Sequence, residues 1–550
     1  MHVRVLVVGG GPVGLALAGD LGWRGVECLL VERSDGRIVQ PRMDMVGVRT
    51  MEFVRRWGFV DWVEASPYPR DYAQDYVYVT SLTGFEFERE PFPSLGDEQP
   101  PPQSPQKRER CPQDMFDPIL MRFARAQPSV ELRYETELRN IEQTDAGVTA
   151  ELRNLRTGRA ETITADYVVG CDGAKSTVRS ALGIEMEGTP ALTYTTNVIF
   201  RCPDLLDLHD KGVAYRFICI GPEGTYATLV AINGNDRWRL SIIGDGSRRE
   251  VSEDDIHRTI HRVVGRAFDY EIESVMPWVR RELIANSYGT GRVFIAGDAA
   301  HVMSPTGGFG MNTGIGDAVD IAWKLDAVLA GWGAPGLLAS YTRERRPVAV
   351  RNAREASRNL RRMLAPRENP PPPVAFEDSA EGAAARRDYG QRFRHSMANE
   401  WFGIGIHLGY RYTDSPVVVA DPDEEPVDGD ETVVTDYDQT SAPGARAPHV
   451  WLADGRSTLD LFGDGFVLLR LGSPAQPVDD LAAAAAERGV PLQVVDIDEA
   501  PVVNAYGRPL VLVRPDGHVA WRGYRQPADP AALVDTVCGS RILSPTGIEH

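Results

Sequence analysis

The chain of 550 residues is poor in cysteine, with six, Cys28, Cys111, Cys171, Cys202, Cys219 and Cys538, and none of them forms a CxxC pair or a zinc-ligand spacing. That argues against a disulfide framework and a zinc centre, and it fits thiols kept reduced inside a cell. Positive charge is scarce too: 59 Lys and Arg stand against 78 Asp and Glu, a formal net charge of -19. Binding to nucleic acid needs a basic surface that this balance does not supply. No apolar run reaches membrane-spanning length. Residues 3–19, the one stretch with the look of a signal peptide, read better as a glycine fingerprint. The expectation is a soluble, cytoplasmic protein without metal, nucleic-acid partner or membrane contact.

What is present begins with VLVVGGGPVG at 5–14. An apolar run reads as a buried strand; Gly9, Gly11 and Gly14, with Pro12 and Val13 between them, form a turn; LALAGDLGWRG follows with helical spacing. A diphosphate can sit on the amides at such a helix start, because Gly11 has no side chain to block it. Glu32, at the end of LLVER and followed by Arg33, is placed to accept from a ribose. The residues predict dinucleotide binding and leave open FAD or a nicotinamide.

Farther on, VGVRTMEFVRRWGF has an apolar helix face, DYVYVTSLTGFEFE alternates like strand, and GDEQPPPQSPQ reads as an exposed, mobile, proline-rich surface loop near a substrate entrance. VELRYETELRNIEQTDAGVTAELRN reads as two or three antiparallel strands. Residues 185–284 are mainly alternating strands with a helix near Asp254 to Val264, which suits a sheet roofing a substrate pocket. A basic helix around 346–366 is expected to be a solvated face or an intramolecular partner of acidic groups. ENPPPPV then marks a linker, and beyond residue 440 strand, helix, strand and a DG hairpin make a small α/β unit whose order is similar to thioredoxin.

Two later motifs share the chemistry. Asp172 and Gly173, with Ser176 and Arg179, follow the strand YVVGC. Gly297 and Asp298, with Pro305 and the loop GGFGMN, follow VFIAG. Acids at two distant strand ends imply a ligand longer than one nucleotide. Gly307, Gly308 and Gly310 let backbone approach a flat ring, and the amides ahead of helix 311–330 can stabilise negative charge there.

With GxGxxG at 9–14, Glu32, DGxxSxxR at 172–179 and GDAAHxxxPxGGxGMNxGxxDAxxxxWKL at 297–325, the chain resembles the single-component FAD-dependent aromatic hydroxylases of the p-hydroxybenzoate hydroxylase fold. It is most similar to the branch with an inert thioredoxin-like C-terminal domain, which includes phenol and chlorophenol hydroxylases and natural-product tailoring enzymes. The resemblance implies an α/β protein: a Rossmann-like FAD-binding domain (1–75, 110–184 and 285–345), an inserted β-sheet substrate domain (76–109 and 185–284), the basic helix, a linker and connecting segment at 367–439, and a thioredoxin-like domain without CxxC at 440–550. It implies that Gly9, Gly11, Gly14 and Glu32 hold the AMP half of FAD. Arg42 and Gln113 would touch ribose or diphosphate, and Asp298 the ribityl side. Gly308, Gly310, Met311 and Asn312 would lie along the ring, with Pro305 at the oxygen site. Asp172 and Arg179 belong to a motif shared by FAD and NAD(P)H. Phe309 and Gly316 depart from the family, where glutamine is frequent.

The implied activity is reduction of FAD by a transient NAD(P)H, capture of O2 as the flavin C4a-hydroperoxide, and hydroxylation of an electron-rich phenol, hydroxypyridine or fused indole. Arg239, in WRLSI, is a candidate to pair with an anionic substrate, and Tyr215 and Tyr226 to bond a phenol; His301 is weighed as an acid-base group against a structural role. Catabolic hydroxylation of simple phenols, an FAD oxidase and a flavin-dependent binding protein remain the alternatives. Homodimerisation stays open.

Overall fold

A computed structural model describes residues 1–38, 40, 41, 43–244, 247, 251–423 and 434–541. The strand His2–Val8 lies at the centre of the first sheet, flanked in parallel by Cys28–Val31 on one side and Ala160–Gly170 on the other. Val5, Leu6 and Val7 are buried on both faces of that sheet, which is why the sequence there is a continuous apolar run rather than an alternating one. The helices Pro12–Trp23 and Phe309–Ala330 pack on each other against it. Of the stretch expected to be antiparallel, Thr136–Thr144 and Gly147–Asn154 do form a hairpin. Val130–Arg133 instead joins Cys28–Val31 in parallel, because the helix Gln113–Arg125 ahead of it supplies a crossover.

A second, eight-stranded sheet is ordered His301–Val302, Glu271–Ala285, Met186–Arg201, Arg237–Ile243, Gly224–Ala231, Arg216–Gly221, Tyr76–Val79, Glu86–Glu90. The amphipathic helix Glu253–Val264, opened by a Ser252–Asp255 capping box, covers one face through Ile256, Ile260 and Val263. Against the other face lie Leu360 and Met363 of the long helix Pro335–Leu364, and Phe393, Met397 and Trp401. Those last three sit on a 22-residue helix, Ala380–Trp401, inside the stretch expected as linker. Their spacing of four places them on one face of a helix whose remaining surface is mostly alanine and charge, so the apolar signal is thin.

The basic bias of the long helix is divided: Arg345 is buried on Asp317 and Arg362 pairs with Glu355 of the same helix, while Arg343, Arg354 and Arg361 are exposed. The proline-rich loop is anchored rather than free, since Ser104 Oγ donates to Glu52 at 2.6 Å and Arg446 donates to the Gln103 carbonyl at 3.0 Å. The third sheet, ordered Leu492–Ile497, Phe466–Leu471, Leu510–Val513, Val519–Gly523, is sealed to the first unit by Trp323, Trp332, Leu337 and Phe466. Among the described residues no helix is long and apolar enough to cross a membrane, and no group of His, Cys, Asp and Glu could hold a metal ion.

Candidate active site

The turn after His2–Val8 separates the three glycines by job. A Cβ on Gly14 would lie 2.0 Å from the Gly9 carbonyl oxygen, so Gly14 permits the close approach of helix to turn, whereas a Cβ on Gly11 would meet nothing within 4 Å. The space over Gly11, in front of the amides that open Pro12–Trp23, fits a diphosphate. Glu32 is oriented beside it: Oε2 accepts from the Gly10 amide and Oε1 from the Ser34 amide, both at 2.7 Å. Arg33 is exposed next to it, and Arg42 lies outside the described residues. The Gln113 side chain donates to Asp117 at 3.1 Å, and its amide donates to the Met43 carbonyl at 3.0 Å.

Asp172 and Arg179 brace neighbouring backbone. Asp172 accepts from the Ser176 hydroxyl and from the amides of Thr177 and Val178, at 2.7 and 3.2 Å, and so caps the helix Thr177–Ala181. Arg179 donates to the Ala299 carbonyl at 2.9 Å, fixing the turn that presents the exposed Asp298. On the inner side of that turn, Asp317 accepts from the Gly297 amide at 3.2 Å, His301 Nε2 at 2.7 Å and Arg345 Nε at 2.8 Å. Burial raises the Asp317 carboxyl, but His301 and Arg345 outweigh that and hold it below its ordinary value. His301 is wholly buried, with Nε2 committed to Asp317 on the inner side of that turn. The Gly316 position, lacking a side chain, is filled by the Arg345 guanidinium, 2.7 Å from where a Cβ would stand.

The loop before Phe309–Ala330 turns on Gly308, whose φ of 69° is left-handed and whose amide donates to the Pro305 carbonyl at 3.0 Å. Asn312 ties the loop to the short strand Met45–Val46: its side chain donates to the Met45 and Gly308 carbonyls and accepts from the Gly47 amide and the Thr50 hydroxyl. Pro305 is exposed, and a Cβ on Gly310 would meet only Met303, at 3.7 Å. A flat ring thus has open, backbone-lined space here, with helix amides behind it.

Facing that loop, one acid organises three of its neighbours. Asp44, directly ahead of Met45, accepts from Tyr215 Oη at 2.5 Å, Arg110 at 3.1 Å and Arg239 at 3.1 Å. Arg110 also lies 3.5 Å over the Tyr215 ring. Burial raises Asp44, and the two guanidiniums with the Tyr215 hydroxyl more than reverse it, leaving the carboxyl lowered. Burial pushes the Tyr215 hydroxyl well up, so it stays a neutral donor. Arg216 binds Glu400 at 2.9 Å, and Tyr76 stacks on Trp401 at 3.9 Å. Arg239 and Tyr215 are thus brought together. Tyr226 is not with them: it lies on the opposite face under the helix Glu253–Val264, donating to the Thr80 carbonyl with Arg262 over its ring. A bulge in the strand Gly224–Ala231, where Tyr226 is the extra residue opposite Cys219 and Ile220, turns it away from the face that Val230 shares with Arg239. Asp44, Arg110, Glu400 and Asp317 escaped the sequence reading; of these only Asp317, inside the long GDAAH to WKL motif, had a signal there.

Residues 2–356 match the family described as FAD binding domain, and 440–540 match the aromatic-ring hydroxylase C-terminal family. The chain belongs to the FAD-dependent aromatic-ring hydroxylases and is a flavoprotein monooxygenase, of a family in which NAD(P)H is the typical co-substrate. Within that class, a putative polyketide hydroxylase of Streptomyces halstedii is 35% identical over 95% of this chain and 93% of its own. The 2,4-dichlorophenol 6-monooxygenase of Cupriavidus pinatubonensis is 32% identical over 96% of this chain and 95% of its own. The solved structure of the rebeccamycin biosynthetic enzyme RebC with reduced flavin matches at a TM-score of 0.90 and 39% identity, covering 98% of this chain and 99% of that one.

Proposed function

We propose that the protein hydroxylates an electron-rich aromatic intermediate of a microbial natural product, a phenol, hydroxypyridine or fused indole, with NAD(P)H and O2. The observation that carries this reading is the Asp44, Tyr215 and Arg239 constellation, set between the flavin-ring loop and the sheet that roofs it. FAD, when bound, activates oxygen; the chain supplies orientation and dryness. Gly11 and Glu32 would hold the AMP half, Asp298 the ribityl side, and Gly308, Gly310, Met311 and Asn312 the ring, with Pro305 beside it. Because Tyr215 Oη donates to Asp44, its free lone pair faces a substrate hydroxyl and accepts from it. That hydrogen bond orients the substrate hydroxyl, while Arg239 and Arg110 supply positive charge beside it that favours its ionised form and so a more nucleophilic ring carbon. Tyr76, stacked on Trp401, offers a flat wall to a fused ring system. The similarity to RebC and to a putative polyketide hydroxylase favours a polycyclic substrate over a simple phenol, and a cytoplasmic location is consistent with the six unbridged cysteines.

Anaerobic stopped-flow reduction of the holoenzyme by NADPH and NADH, with phenols, hydroxypyridines and fused indoles, tests the reading. Strong acceleration by a polycyclic compound, with oxygenated product when air is admitted, is expected. Acceleration by simple phenols alone would move the enzyme to catabolism, and reduction by substrate without a nicotinamide would make it an oxidase. Light scattering of the same sample tests homodimerisation.

A further inference from the structure

On the chamber side of the roof sheet, the strand Glu271–Ala285 carries a guanidinium with no counter-ion. Arg280 is 4% exposed, and its Nε donates to Thr195 Oγ1 at 3.2 Å. Among the described residues no carboxylate lies within ion-pair distance of it, and nothing accepts from its two terminal nitrogens. Other buried and half-buried arginines in the molecule are treated differently: Arg110 and Arg239 share Asp44, Arg216 has Glu400, Arg345 has Asp317 and Arg446 has Glu52. A buried cation without an acid is costly unless something else neutralises it. The neighbours aggravate the deficit: burial and then the Arg216 guanidinium drive Arg280 down to about 9, with Arg239 and Arg367 acting in the same sense and Glu400 opposing.

A second donor on the same face is also unsatisfied. Trp278 lies two residues along the strand, its ring 5.0 Å from the Arg280 guanidinium, and its Nε1 is buried with no hydrogen-bond partner. An indole N–H only donates, and a guanidinium only donates. Two donors of that kind, side by side and unpartnered in a protein of net charge -19, match an acceptor that carries negative charge. The Arg216–Glu400 pair, near the Gly307 backbone, connects this position to the flavin-ring loop.

We propose that Arg280 and Trp278 form an anion subsite of the substrate chamber that takes a carboxylate carried by the aromatic substrate. The guanidinium accepts the carboxylate as its missing counter-ion, and the indole N–H donates to one of its oxygens. The substrate's charged end is then held at the Glu271–Ala285 strand while the ring to be oxidised lies toward Tyr215 and the flavin loop. This subsite rests on the hydroxylase reading of the same chamber, and it selects within it: a carboxylated aromatic is preferred over its neutral counterpart.

The test titrates the FAD-loaded enzyme with carbazole-1-carboxylate and with carbazole-1-carboxamide, following the flavin absorbance change at constant ionic strength. The wild type is expected to bind the carboxylate at least about tenfold more tightly than the amide, the range of one charge-assisted hydrogen bond. Arg280→Gln should abolish that preference by weakening the carboxylate alone. Arg280→Lys should retain part of it, and Trp278→Phe should reduce it severalfold. FAD content and thermal midpoint of each variant report folding. Equal affinity for the two compounds in the wild type, a preference that survives Arg280→Gln, or no response to the carboxylate up to its solubility limit each overturns the subsite. NAD(P)H oxidation and product formation are read separately: tight carboxylate binding without turnover by any aromatic leaves the subsite standing and removes the hydroxylase reading.

Discussion

Tyr215 is the side chain whose chemistry and packing can be separated most cleanly. Among the described residues its hydroxyl bonds only Asp44, which keeps Arg110 and Arg239 when the hydroxyl is lost, so Tyr215→Phe should preserve fold and FAD content. The hydrogen bond that orients a substrate hydroxyl would be lost. Product formed per NAD(P)H consumed is expected to fall about tenfold, the scale of one lost hydrogen bond, while flavin reduction changes little. Unchanged coupling in that variant would remove Tyr215 from the chemistry. Asp117 offers a second measurement at this scale. Burial raises its carboxyl to about 7. A raised carboxylate favours the folded state when protonated, so this contribution is present at low pH and is lost as pH climbs toward about 7. Asp117→Asn does not ionise. Its stability advantage over the wild type should therefore grow by about 2 kcal/mol between about pH 5.5 and pH 7 and level off above, from 1.36 kcal/mol per pKa unit. A constant difference across that range in denaturant titrations would refute it.

The element that ties cofactor loop to scaffold is the helix Phe309–Ala330. Through Asp317 it holds the Gly297 amide, His301 and Arg345 at once. Asp317→Ala would strand two buried cationic or polar partners, and a loss of about 3–5 kcal/mol is expected, as for other broken buried pairs. Because the Gly297 turn presents Asp298, the variant should also purify with less FAD per chain, whereas a variant with full FAD and a wild-type melting curve would show the tie to be dispensable. At this scale the sequence was readable wherever one periodicity dominated. The buried run 5–8, the glycine spacing and the alternating strands of the roof each follow from local pattern. Ala380–Trp401 was hidden because only Phe393, Met397 and Trp401 mark its buried face after a proline run. The Asp44 centre was hidden for another reason: Tyr215 and Arg239 lie 171 and 195 residues away, and a charge in a sequence does not announce its partner. Tyr226 shows the limit from the other side, since residue type alone could not say which face of the sheet it takes.

Across the whole molecule, the C-terminal unit is joined to the FAD-binding unit by charge as well as by the Trp323 and Phe466 contact. Arg514, on the Leu510–Val513 hairpin, is wholly buried and donates to Glu344 at 2.5 Å, Asp320 at 3.2 Å and Asp516 at 2.7 Å. Lys324 binds the same Glu344 and Asp320 from the Phe309–Ala330 helix. Burial opposes ionisation of Glu344, yet Arg514 and then Lys324 hold its carboxyl well below the usual carboxylate range. Two helices of the flavin unit therefore depend on a residue of the C-terminal unit for neutrality. Arg514→Ala should cost about 3–5 kcal/mol by leaving Glu344, Asp320 and Asp516 short of one buried cation, with Lys324 reaching only the first two. Arg514→Met with Glu344→Gln should recover much of that, because cation and anion are removed together and the thioether refills the space. If the two units are one cooperative body, flavin fluorescence and far-UV circular dichroism will report a single coincident melting transition in the wild type and in both variants, shifted downward most in Arg514→Ala. An early transition confined to the C-terminal unit, with flavin still bound, would mean that the buried ion cluster seals an interface without coupling the two folds, and that the active site keeps its geometry without its neighbour.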